Sequence, residues 1–78
     1  EMLNDNVNQM NQEIFKKQAP STIKRVDQAK LNDPLDNVAH VHFTDGAALR
    51  DDGTWKHGNR ALSLQEKNWL TAWEWTLP

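Results

Sequence analysis

The chain has 78 residues, 37% of them hydrophobic and 26% charged, which describes one small globular domain and excludes a disordered tail. At this length only about 60% of the unfolded surface is hidden on folding, so the core must be thin. The sequence has no cysteine and a net charge of −2, which excludes disulfide or thiolate chemistry and argues against nucleic-acid binding by bulk positive charge.

The chain opens on Glu1-Met2 rather than an initiator methionine, a start that reads as a fragment of a longer protein. Over residues 1–19, Leu3, Val7, Met10 and Ile14 recur at helical spacing on an Asn/Gln-rich cylinder, which predicts an amphipathic helix. Lys16 and Lys17 suit its last turn, and Pro20 ends it. Residues 22–58 are expected to form a small antiparallel sheet. Its first strand alternates poorly, because Ile23 and Val26 lie three apart, as at a bulge or on an edge. Asp33-Pro34 marks a loop. No run approaches the roughly 20 apolar residues of a membrane-spanning helix, and no signal-peptide pattern is visible.

The next stretch, HVHFTDGAALRDDGTWKHG, carries all three histidines. Alternation places Ala39, Val41 and Phe43 on one face, with Val38, His40 and His42 on the other. Thr44-Asp45-Gly46 and Asp51-Asp52-Gly53 each read as a three-residue hairpin turn with glycine in the left-handed position. That register lines up Val41, Leu49 and Trp55 as an apolar row. It sets His40 beside Arg50 and Thr54, and His42 beside Ala48 and Lys56, with Ala48 as a shallow open floor. A final helix over 63–74 is announced by the capping box Ser63-Leu64-Gln65-Glu66, with Trp69, Leu70 and Trp73 facing the sheet. The expected architecture is α+β: N-terminal helix, antiparallel meander, and a C-terminal helix packed on one sheet face.

The polar face is the candidate site. Two imidazoles can serve as general base and general acid near neutrality, while Arg and Lys can hold a phosphate. That set suits metal-independent RNA cleavage through the 2′-hydroxyl. His40 and His42 are the expected acid–base pair, with Lys56 and Thr54 assisting and Arg50, Arg60 and His57 contacting substrate. His57 falls near the strand end on the apolar side in this register, so it also reads as structural. A zinc site on His-x-His needs a third ligand, and none is visible on the same face. No metal or cofactor is therefore expected.

The segments IKRVD, HVHFTDGAALRDDGTWKHG and LSLQEKNWL resemble the C-terminal toxin domains of bacterial polymorphic and contact-dependent growth-inhibition effectors. The resemblance covers a little over half the chain. It implies a compact helix-plus-antiparallel-sheet fold carried at the tip of a larger secreted protein. It further implies delivery into the cytoplasm of competing bacteria, ribonuclease activity often directed at transfer RNA, and neutralisation by a cognate immunity protein. The chain departs from the pattern at Glu74, where glycine is expected before the last tryptophan. The other reading is a non-catalytic interaction module that docks through the polar sheet face or the first helix, which the acidic balance favours.

Overall fold

The computed structural model describes residues 4–34 and 36–78. The apolar stripe of the first segment forms α1 over Asn4–Phe15. Val7 and Met10 enter the core and Ile14 packs against it; Leu3 lies outside the described residues. The helix stops before Pro20, because Lys17 turns left-handed at φ 60°. The Gln18 amide then bonds the Glu13 carbonyl at 2.8 Å and the Lys17 amide bonds Ile14 at 3.1 Å. This closure satisfies the last carbonyls of the helix.

Four strands follow: β1 (Ile23–Asp27), β2 (His40–Phe43), β3 (Ala48–Arg50) and β4 (Trp55–His57), in the spatial order β1-β2-β3-β4. All neighbouring pairs are antiparallel. β1 is an edge strand with a register shift between Ile23 and Arg25, which accounts for its poor alternation. Its outer edge is covered: the Asn11 side chain of α1 donates to the Val26 carbonyl at 2.8 Å and accepts from the Val26 amide at 2.9 Å. One amide side chain thus stands in for a missing strand partner and keeps the edge from recruiting another chain.

Both hairpins turn as expected. Phe43 bonds Ala47 across the first turn at 2.9 Å and Arg50 bonds Thr54 across the second at 2.8 Å. Asp45 and Asp52 each accept the backbone amide two residues on, at 3.0 Å. Gly46 and Gly53 have φ of 93° and 88°. They differ in surroundings. A Cβ at Gly46 would meet open space, whereas at Gly53 it would lie 2.8 Å from the Leu77 carbonyl oxygen.

The register pairs His40 with Arg50, Val41 with Leu49 and His42 with Ala48, as the turn lengths require. The last pairing departs from expectation. Leu49 faces Trp55, but Ala48 faces His57, so Lys56 is an extra residue in a bulge. His57 therefore stands opposite Ala48 rather than on the apolar side, and its side chain is exposed. Ala48 is also no open floor, being fully buried. The segment between β1 and β2 crosses this face, since its Asp36 pairs with Lys56 on the far edge strand.

The opposite face holds the core, in which Ile23, Val26, Val41, Phe43 and Leu49 pack with Trp69, Leu70 and Trp75. Trp69 and Leu70 come from α2 (Leu64–Ala72), whose capping box at Ser63 is complete. The helix ends in a second left-handed residue, Glu74, at φ 65°. The Trp75 amide bonds Leu70 at 3.1 Å and the Glu74 amide bonds Thr71 at 2.9 Å, which carries Trp75 into the core. The turn that a glycine would make is thus made by a glutamate. Removing the Cβ penalty predicts that Glu74→Gly raises stability by about 1 kcal/mol, read as a higher melting temperature. A loss of stability would show that the Glu74 side chain matters more than its backbone.

Candidate functional site

The antiparallel pairing of β1 with β2 sets Asp27 opposite His40 and Arg25 opposite His42. Because His40 and His42 share a face, so do Arg25 and Asp27. The two imidazoles converge on one carboxylate oxygen. Nε2 of His42 lies 3.0 Å and Nε2 of His40 3.3 Å from Oδ2 of Asp27. The rings meet edge to face, with centroids 4.8 Å apart. Arg25 braces the other carboxylate oxygen, its Nε donating to Oδ1 at 3.1 Å. Its Nη2 lies 3.4 Å from His42 Nε2. The carboxylate is nearer, and an Nε2–H that donates to Asp27 cannot also accept from arginine.

Burial sets the electrostatics. His40 is 2% exposed, and its Nδ1 is sealed from solvent without a hydrogen-bond partner of sound geometry. Desolvation, then the positive charge of Lys56, holds its pKa below the ordinary 6.5, although Asp27 opposes the shift. For His42 burial is again first and the charge of Arg25 second, with Asp27 once more opposing. At neutral pH both rings are therefore uncharged and can donate Nε2–H to Asp27. Burial works to raise the Asp27 pKa, but the bond and charge of Arg25, with help from both histidines, hold it low. The free site is two neutral imidazoles on one carboxylate.

The other expected residues distribute unevenly around this cluster. Arg50, paired with His40, directs its guanidinium to the Trp55 carbonyl at 2.9 Å and toward the Thr54 hydroxyl at 3.4 Å. Thr54 in turn donates to Asp52 at 2.6 Å, so it belongs first to its turn. Lys56 is near enough to depress both histidines but is ion-paired with Asp36. Arg60 does not join them. It grips Glu66 through two bonds of 2.9 and 3.0 Å and Asp45 through one of 2.6 Å, and it sits 4.6 Å over the Phe43 ring. Phe43 faces the core, so Arg60 lies on the far side of the sheet from the histidines.

Asp27 and Arg25 were not singled out from the sequence. Their signal was available: with Val26 inward, Arg25 and Asp27 must point outward. What was missing was which strand β1 would pair with, since a long loop separates it from His40.

Compared with known proteins, the chain matches no family model, no curated protein and no solved structure. Among the described residues, no helix is long and apolar enough to cross a membrane.

Proposed function

We propose that this domain is a metal-independent endoribonuclease, the toxin tip of a larger secreted effector that acts in competing bacteria and is neutralised by an immunity protein. The observation that carries this reading is the convergence of the His40 and His42 Nε2 atoms on Asp27, with Arg25 and Lys56 close by. One histidine takes the 2′-hydroxyl proton as the 2′-oxygen attacks phosphorus. The other protonates the 5′-oxygen as its bond to phosphorus breaks, leaving a 2′,3′-cyclic phosphate. DNA lacks the attacking hydroxyl and is spared.

In the free domain the Asp27 carboxylate stands where a phosphodiester oxygen would sit. RNA entry requires it to turn aside, and Arg25 is freed by the same movement to hold the phosphate and the charge that develops on it. Catalytic hydrogen bonds are often loose before substrate binds. Arg50 and His57 flank the cluster and extend the contact along the RNA backbone, and Thr54 orients by hydrogen bonding. Lys56 adds positive charge from behind its pair with Asp36. Arg60, committed to Glu66 and Asp45, has no part in this proposal.

A second reading, a non-catalytic interaction module, is favoured by one observation: Lys56 and Arg50 are already engaged. The two readings part in a single assay. Purified domain incubated with total cellular RNA in EDTA is expected to generate fragments ending in 2′,3′-cyclic phosphate. Intact RNA after prolonged incubation at high protein concentration would favour the docking module instead.

A further inference from the structure

We propose that Asp27, His40 and His42 also form a binding site for one zinc-class divalent cation, and that its occupancy shuts off RNA cleavage. The shut-off rests on the ribonuclease reading above; the binding does not.

The donor set is two imidazole nitrogens and one carboxylate oxygen, all within 4.8 Å of one another. Imidazole suits zinc, cobalt, nickel and copper, whereas magnesium and calcium want oxygen donors throughout. In a tetrahedral site with bonds of about 2.0–2.1 Å, neighbouring donor atoms stand about 3.3 Å apart. The carboxylate oxygen is already 3.3 Å from His40 Nε2 and 3.0 Å from His42 Nε2. Both carboxylate–imidazole separations therefore already suit a coordinating cluster, and closing the two rings on one ion completes it.

The scaffold favours the same conclusion. All three ligands sit on two strands in register, with Asp27 directly opposite His40, so they are positioned by the sheet rather than by a loop. The His40 side chain is sealed, while those of Asp27 and His42 are 35% and 20% exposed. An ion can therefore enter from that side and keep water as its fourth ligand. Arg25 is the competitor. Its guanidinium holds Asp27 and crowds His42, but its side chain is half exposed and can turn into solvent. Arg25 should weaken the site without closing it. Lys56 matters less, since Asp36 offsets its charge.

Coordination requires each ring to move its proton from Nε2 to Nδ1; it then occupies the two Nε2 atoms that would otherwise exchange protons with RNA, and it pins Asp27 in place. Both effects oppose the proposed reaction, so zinc should act as an inhibitor competitive with RNA.

The test titrates metal-stripped domain with Zn²⁺ by calorimetry and with Co²⁺ by visible absorption, which reports tetrahedral nitrogen and oxygen ligation. One ion per chain is expected. His42→Ala and Asp27→Asn should each weaken binding at least about tenfold, and Arg25→Ala should tighten it severalfold. That opposite sign is not produced by a variant that merely loses its fold, and circular dichroism checks each one. Zinc should abolish RNA cleavage at the concentration that fills the site, and EDTA should restore it. Absence of saturable binding, or binding indifferent to His42→Ala, overturns the site even if RNA is cleaved in EDTA. Binding without any cleavage by the metal-free domain upholds the site and overturns the ribonuclease reading. Cleavage that rises with zinc upholds the site and overturns the shut-off.

Discussion

His42→Ala is expected to reduce RNA cleavage by about 10²–10⁴-fold, the usual worth of a positioned acid or base, while the domain stays folded. His42 is the partly exposed member of the pair, so its loss opens no sealed cavity. His40 differs. At 2% exposure it packs behind His42, and His40→Ala should cost about 1–3 kcal/mol of stability as well as activity. An open polar face would have made the two variants equivalent for stability; burial of His40 separates them. Asp27→Asn should move the pH profile of kcat/KM, which reports the free domain. The sign follows from the environment. A general base works only above its pKa and a general acid only below its own. Burial with nearby Lys56 or Arg25 depresses both histidines below 6.5. The kcat/KM profile should therefore be bell-shaped with its maximum on the acid side of pH 6.5. Replacing Asp27 removes the one group that raises both values, so the maximum should shift further toward acid. A profile flat from pH 7 to 9, or full activity in His42→Ala, would place the chemistry elsewhere.

The largest effect on stability should come from Glu66→Gln, at about 3–5 kcal/mol. Glu66 is 1% exposed and anchors four donors. Two arms of Arg60 reach its carboxylate at 2.9 and 3.0 Å, the Thr22 hydroxyl at 2.7 Å and the Ser63 amide at 2.8 Å. It thereby ties α2 to the start of β1 and to the loop that carries Arg60. Glutamine keeps the shape but leaves the arginine beside a neutral amide. The Arg60 bonds come first among the causes that depress the Glu66 pKa from 4.5 to about 2, against the opposing pull of burial. A depressed carboxylate stabilises the fold above its unfolded pKa, and that contribution fades as pH falls from about 4.5 toward 2. A shift of this size corresponds to about 3 kcal/mol, a large share of the roughly 4–12 kcal/mol expected for a domain of this length. Urea unfolding at pH 7 and pH 3 reads both effects. Wild type should weaken markedly at pH 3, and Glu66→Gln should be weak at pH 7 and respond less to acid. Equal midpoints for the two proteins at pH 7 would deny the network its role.

Local patterns determined a good part of this molecule. The α1 stripe is period 3.6, and Val7 and Met10 are buried as that period requires. The Asp45-Gly46 turn set the β2–β3 register, because a glycine at positive φ leaves the hairpin little choice. Ser63 and Glu66 announced the start of α2, since a capping box is complete within four residues. Each of these signals lies within a few neighbours of its effect. Tertiary structure decided the rest. The partner of β1 is chosen across a long loop, and only that choice brings Asp27 and Arg25 to the histidines. Lys56 leaves the β4 ladder as a bulge and meets Asp36 from the β1–β2 segment, and His57 rather than Lys56 came to face Ala48. Alternation told which face His40 and Ala48 share, but the loop crossing that face buried them both. Arg60 reads as a free surface cation until the fold sets it between the sealed Glu66, six residues on, and Asp45, fifteen residues back. Alternation assigns a face to each side chain, but only packing determines what covers that face.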